Sequence, residues 1–324
     1  NGLVLICRFL HVPNRFCKCS SKFRLSITCD ALKLTIQLTQ FTQRRRKLFG
    51  TKNYETENQQ KDDLASREIE HFNSLKPEVT LPYHCVVQQR LPSLLVSPIL
   101  FAHRGASAYS PENTLDAFSL ALKLGATGLE SDIWTTRDGV LVLDHDGVVK
   151  SRLRSKPIAE LDKSELPAHI PTLEELLQHC GSQYQLSLDI KDPVVFETIE
   201  STVANIDRSM LERLWLCHPN YELLIDNRKS TSQCKLVDST RLARIKEGPE
   251  RRAATLAANG IDAFNMHYSD WNGGLVALFH RFKIVSFGWD MQHEAIIENG
   301  IRMGLDGVFS DWPDRMVEAN SRQG

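Results

Sequence analysis

Residues 129–145, LESDIWTTRDGVLVLDH, hold two strand-like runs around a tight turn, and their pairing constrains everything around them. Leu129–Trp134 and Val140–His145 read as strands, and Thr135-Thr136-Arg137-Asp138-Gly139 is turn material with Asp-Gly at its tip. Five linking residues cannot span a parallel crossover, so the runs must pair as an antiparallel hairpin. Counting outward from the turn sets His145 opposite Glu130 and Leu143 opposite Asp132. Beyond the hairpin, strand-like and helix-like runs alternate. Ile99–His103 leads to a helix at Asn113–Leu124, the hairpin to Thr172–Cys180, Gln185–Ile190 to Val194–Asn205, and Leu214–Cys217 to Tyr221–Asn227. Cys234–Val237 leads to Pro249–Asn259, Ile261–Asn265 to Gly273–Phe282, Lys283–Phe287 to His293–Met303, and Gly307–Ser310 closes the series. With the hairpin's return strand set aside, eight parallel strands remain with helices between them, the pattern of a closed (β/α)8 barrel in the α/β class. An open doubly wound sheet is the competing arrangement, but no Gly-rich phosphate loop supports it.

Barrels of this kind build their sites at the C-terminal ends of the strands. His103 ends the first strand, Glu130 and Asp132 lie near the end of the second, and Asp189 and Lys191 end the third. Imidazoles pass protons near neutral pH, so His103 and His145 are candidates for general acid–base work. Carboxylates two apart on a strand point the same way and repel unless a cation or proton intervenes, which makes Glu130 and Asp132 candidate metal ligands, with pairing to Lys or Arg in a structural network as the alternative. Asp189 is a candidate third ligand, and all-oxygen donors favour one divalent cation of the Mg²⁺ or Ca²⁺ kind over Zn²⁺. Arg104 suits the forked oxygens of phosphate, and Lys191 suits a phosphate or a carboxylate. Glu112 opens a helix, where an acid also simply favours the dipole, but it is placed to orient Arg104 or a substrate. Trp289 ends the seventh strand, either stacking at the mouth of the site or packing beneath it. His218 and His267 also lie near strand ends, with no partner evident in the sequence. Taken together, the residues point to metal-assisted phosphodiester chemistry.

Several blocks in fixed order resemble the glycerophosphodiester phosphodiesterase family. They are His103-Arg104-Gly105, Pro111-Glu112-Asn113-Thr114, Glu130-Ser131-Asp132, Thr136-Arg137-Asp138-Gly139 and His145-Asp146. Ile170–Leu177 and Asp306–Asp314 resemble later blocks of the same family, and the likeness runs from about Ile99 to about Met316. The family's third strand usually ends Glu-x-Lys, whereas this chain has Asp189-Ile190-Lys191, one methylene shorter. The resemblance implies a TIM barrel, a single metal ion held by Glu130, Asp132 and Asp189, and catalysis by His103 and His145. It implies a small-molecule glycerophosphodiester substrate, cleaved to sn-glycerol 3-phosphate and an alcohol. A lysophospholipase D-type enzyme on the same scaffold is the competing activity, and a barrel that binds phosphodiesters without turnover is a competitor of another class.

Composition bounds the remainder. The 324 residues suffice for one large domain with an appendage, expected as a catalytic domain over 97–318 and an extension over 1–90. Residues 1–50 hold ten Lys+Arg against the single acid Asp30, while the rest holds 29 basic and 39 acidic residues. A mildly acidic body argues against a nucleic-acid partner, and no run approaches the ~18 apolar residues of a membrane span. The basic, acid-poor leader is compatible with organelle targeting or with sequence outside the mature protein, and otherwise the cytoplasm is the expected location. Cys85, Cys180, Cys217 and Cys234 lack metal-ligand spacing and are expected as free thiols. Nothing in the sequence speaks to oligomeric state.

Overall fold

The computed structural model describes residues 90–150, 155–192, 195–230 and 233–323. The extension over 1–90 apart from Arg90, with its cysteines and Cys85, lies outside the described residues. In chain order the strands are β1 (Ile99–His103), β2 (Gly128–Thr135), β3 (Leu141–Leu143), β4 (Val148–Lys150), β5 (Ser155–Pro157), β6 (Gln185–Ile190), β7 (Leu214–His218), β8 (Lys235–Thr240), β9 (Ala263–His267), β10 (Val285–Trp289) and β11 (Gly307–Ser310). The helices are α1 (Leu115–Lys123), α2 (Leu173–Cys180), α3 (Phe196–Asp207), α4 (Tyr221–Arg228), α5 (Pro249–Ala258), α6 (Gly273–Arg281), α7 (Glu294–Arg302) and α8 (Pro313–Ser321). The sheet runs β1-β11-β10-β9-β8-β7-β6-β2, and a further parallel pairing of β1 with β2 closes it. The chain is an eight-stranded parallel barrel with helices between the strands, as expected.

The two-residue period of a strand divides the core in two. Ile99, Phe101, Trp215, Cys217, Val237, Ala263, Phe287 and Phe309 point inward and fill the barrel, while Leu100, Leu129, Leu188 and Val308 point outward under the helices. Phe101 stacks on Phe309 with centroids 4.4 Å apart. Gly128 and Gly307 make room for these rings, since a Cβ at Gly128 would sit 2.6 Å from the Phe101 ring. The interior is therefore a packed plug, and chemistry is confined to the rim where His103, Glu130, Asp132 and Asp189 emerge. Helix starts follow capping rules: Thr114 caps α1, and Thr172 with Glu175 forms a capping box on α2. The first helix accordingly begins at Leu115 rather than Asn113.

Two features of the hairpin differ from expectation. Ile133, not Asp132, faces Leu143, a slip of one residue. The cause is the turn: Gly139 donates to the Thr136 carbonyl and Thr136 donates to the Val140 carbonyl, with Gly139 at φ +81°. That is a three-residue loop over 137–139 with Gly139 as a bulge, one residue shorter than the expected register implies, and it shifts the register by one. The return strand also stops at Leu143, so His145 lies on a loop instead of opposite Glu130. From there the chain forms the small β4–β5 ribbon and two 3₁₀ turns over a minor core of Val142, Ile158, Leu161, Leu166 and Ile170. Arg137 ties this insert to the hairpin through Asp162 and Glu165.

At the opposite end of the barrel, Asp306 is fully buried and heavily bonded. Its carboxylate accepts from Ser93 Oγ and the Leu94 N–H at 2.6 Å each, from the Ser286 N–H at 2.7 Å, and pairs with His280 Nε2 at 2.7 Å. Burial works to raise its pKa, but the His280 and Ser93 bonds outweigh it and hold the carboxyl below the usual range. A depressed carboxyl contributes stability that is complete above its unfolded pKa of about 4 and is lost as pH falls through the folded value. Asp306→Asn is expected to cost about 3–5 kcal/mol at pH 7, a drop in Tm on the order of 10 °C. It should also flatten the acid limb of a Tm-versus-pH curve. An unchanged melting curve would show that the network carries no weight.

Candidate active site

The first half of the site is built where β1 leaves the barrel. Arg104 adopts φ +54°, a left-handed conformation uncommon for a side-chain-bearing residue, and turns the chain sharply after His103. Gly105 follows at φ +80°, and a Cβ there would meet the Ala117 backbone at 2.7 Å. The turn is held by the Arg104 N–H donating to Glu130 Oε2 at 3.0 Å and by the Asn113 N–H donating to the Arg104 carbonyl at 3.0 Å. Asn113 is buried, and its Oδ1 accepts from Ser131 Oγ at 2.6 Å, which locks the loop to the residue between Glu130 and Asp132. The Pro-Glu-Asn-Thr block thus serves partly as scaffolding.

Barrel register supplies the second half. His103 is level with Glu130 across β1–β2, and Asp132 is level with Asp189 across β2–β6. Ligand atoms of Glu130, Asp132 and Asp189 all lie within 4.8 Å of one another. The shorter Asp189 therefore still reaches the cluster. Two cations join it: Lys191 Nζ is 2.8 Å from Asp132 Oδ1 and 3.6 Å from Asp189 Oδ2, and Arg104 Nε is 3.6 Å from Asp132 Oδ2. Arg104 also pairs with Glu112 at 3.0 Å. Burial, then the neighbouring carboxylates, raise the Glu130 pKa against the pull of His103. Asp189 is likewise raised, first by burial and then by Asp132, against Lys191.

These carboxylates fit a cation. Asp132 Oδ2 is buried and accepts no hydrogen bond among the described residues, which is costly for a carboxylate oxygen unless something else meets it. Three carboxylates crowd one poorly solvated place with Lys191 and Arg104, and Arg104 is already paired with Glu112, so acidic groups outnumber the cations. A divalent ion would offset that excess.

His103 completes the cluster. Its Nδ1 lies 2.6 Å from Asp311 Oδ1 and its Nε2 lies 3.9 Å from Glu130 Oε2. Burial lowers the imidazole pKa, but Glu130 and the Asp311 hydrogen bond outweigh it, so the net shift is upward. The other expected residues stand apart. His145 is 43% exposed and bonds Asp146 Oδ1 at 2.9 Å. Trp289 packs on the interior plug across the mouth, edge-on to His267 with centroids 4.6 Å apart. His267, for which the sequence shows no partner, has its Nε2 3.0 Å from Asp290 Oδ2. Asp311 went unassigned because its meeting with His103 depends on barrel closure. Pairing of Ala102 with Ser310 is the signal that reveals it.

Comparison with known proteins agrees with this geometry. Residues 103–315 match the glycerophosphoryl diester phosphodiesterase family, a span covering more than half of the chain. The chain belongs to that family. As a glycerophosphoryl diester phosphodiesterase family member it is a phosphodiester hydrolase. It is 26% identical over 238 residues to a glycerophosphodiester phosphodiesterase of Caldanaerobacter subterraneus, covering 68% of this chain and 96% of the relative. It is 39% identical over 126 residues to glycerophosphodiester phosphodiesterase 1 of Mus musculus, covering 34% of this chain and 37% of that one. Among solved folds, a Thermotoga maritima glycerophosphodiester phosphodiesterase superposes with a TM-score of 0.60 at 23% identity, covering 68% of this chain and 97% of that one. An Oleispira antarctica phosphodiesterase, solved in complex with the product sn-glycerol-3-phosphate, gives 0.59 at 22% identity, covering 69% of this chain and 97% of that one. No helix among the described residues is long and apolar enough to cross a membrane.

Proposed function

We propose that this protein hydrolyses glycerophosphodiesters to sn-glycerol 3-phosphate and a free alcohol, with the catalytic unit in residues 97–318. The observation that carries the reading is the convergence of one imidazole, three carboxylates, an ammonium and a guanidinium at a single barrel mouth. The names of the relatives and the product held by the Oleispira neighbour support the substrate class. Glu130, Asp132 and Asp189 would hold one divalent ion, Mg²⁺ or Ca²⁺. When bound, it supplies positive charge for the phosphoryl oxygens as charge builds in the transition state. Arg104, held by Glu112, and Lys191, held by Asp132, grip the remaining phosphate oxygens.

Proton movement falls to His103 and His145 in this reading. His103 Nε2 is the ring nitrogen nearer the carboxylates, and it moves a proton to or from an oxygen on phosphorus. His145 lies one residue beyond Asp144, whose N–H donates to the Asp132 carbonyl at 3.1 Å, which ties the backbone before His145 to the strand that carries the carboxylates. Trp289 forms the facing wall. The net change is addition of water across one P–O bond, with the alcohol leaving protonated.

A lysophospholipid is the competing substrate. A cleft of about 980 Å³ adjoins the site along Glu112, Asn113 and Asp144, and its walls also carry Asp116 and Glu175. Pro111, Leu115, Ala168 and Pro171 stand beside these carboxylates, so the cleft offers both polar and apolar surface. The test is hydrolysis of glycerophosphocholine, glycerophosphoethanolamine and lysophosphatidylcholine side by side. The first two should release sn-glycerol 3-phosphate. Turnover confined to lysophosphatidylcholine would replace this reading with a lipid phosphodiesterase.

A further inference from the structure

We propose that Asp311 is a positioning residue that fixes the ring and tautomer of His103, an inference that rests on His103 being a proton carrier. Asp311 Oδ1 lies 2.6 Å from His103 Nδ1, a short, charge-assisted contact. A carboxylate there accepts the Nδ1 proton, which leaves the Nε2 lone pair for the reacting oxygens. When Nε2 takes a proton, the same carboxylate stabilises the resulting imidazolium. Ser107 reinforces the geometry, its hydroxyl lying 3.0 Å from the same Oδ1 and 2.9 Å from the His103 carbonyl.

The carboxylate is not needed to hold its own loop. That loop is tied by backbone and neighbouring groups. Gln292 Oε1 accepts from the Asp311 N–H at 3.1 Å and from Ser310 Oγ at 3.2 Å, and the Ala108 N–H donates to the Asp311 carbonyl at 3.2 Å. Arg315 Nη1 in turn donates to the Gln292 carbonyl at 2.9 Å. Among the described residues the Asp311 side chain bonds only His103 and Ser107. A side chain that bonds one imidazole and the hydroxyl beside it, on a loop anchored by other means, has orientation as its role.

The test uses the full chain with Mg²⁺ and glycerophosphocholine, comparing Asp311→Asn, Asp311→Ala, His103→Ala and the His103→Ala/Asp311→Ala pair. The single Asp311 changes should lower kcat by about 10²-fold, within what an acid–base residue contributes, and leave KM nearly unchanged. The affinity for Mg²⁺ alone, by calorimetric titration, should also hold, because no metal ligand is touched. In the His103→Ala background, removal of Asp311 should cost nothing further, since a residue that acts through another has no effect once that other is gone. Near-normal kcat in the isosteric Asp311→Asn beside an inactive His103→Ala would overturn the proposal. So would losses that multiply in the pair, or a weakened Mg²⁺ titration, each of which marks a general structural role. Full turnover by His103→Ala is the separate failure that removes the proton-carrier reading itself, and this proposal with it.

Discussion

His103→Ala is expected to lower kcat on glycerophosphocholine by ~10²–10⁴-fold, the usual contribution of a general acid or base. The expectation follows from position. The imidazole ends β1 level with Glu130, its Nε2 is 3.9 Å from a carboxylate of the acidic cluster, and the left-handed Arg104 turns the chain sharply just after it. The fold should survive, because the interior plug of Phe101, Phe287 and Phe309 lies beneath the ring and is untouched. His145→Ala is expected to fall in the same range, and the two losses should not multiply, since groups that act in one proton transfer sequence are non-additive. A p-nitrophenyl ester of glycerol phosphate, whose leaving group needs no proton, should rescue only the variant that lacks the general acid, and so assign the roles. Near-normal kcat in His145→Ala would mark the exposed ring paired with Asp146 as a surface residue.

Asp132→Asn is expected to be at least as damaging, with kcat/KM down by roughly 10³-fold, or about 4 kcal/mol of lost charge stabilisation. Asp132 is central to the cluster: it is level with Asp189, it bonds Lys191 at 2.8 Å, and its Oδ2 is buried without a hydrogen bond. An amide keeps the shape but removes the charge and aims a donor at the guanidinium or ammonium beside it. The concentration of Mg²⁺ or Ca²⁺ needed for half-maximal rate should rise by more than the ~10–100-fold typical of outer-shell changes. A variant with full activity and unchanged metal dependence would take Asp132 out of the cation site.

How much of this was legible in the sequence depends on how locally each feature is determined. The alternation of strands and helices needed only short windows, and β6 and β11 begin and end where the pattern put them. Grouping of Glu130, Asp132 and Asp189 was legible because strand-end position and a two-residue period fix it. The hairpin register differs for a reason internal to one turn, since Asp-Gly can close a loop of four residues or, with Gly139 as a bulge, of three. His145 was consequently set opposite Glu130, which the loop beyond Leu143 does not allow. The fold brings both Lys191 and Arg104 onto Asp132, a meeting of three strand ends that no short window of sequence contains. Asp311 and the Asn113–Ser131 bond join residues that only barrel closure or a folded loop brings together. Periodicity carries no information about such contacts.

The most direct test of metal-assisted glycerophosphodiester hydrolysis is sn-glycerol 3-phosphate release from glycerophosphocholine by the full chain, stripped of metal with chelator and then titrated with Mg²⁺ or Ca²⁺. The expected result is no detectable release in excess chelator and recovery of the rate as either ion is restored. Undiminished release in excess chelator, or no sn-glycerol 3-phosphate with either ion, would contradict it.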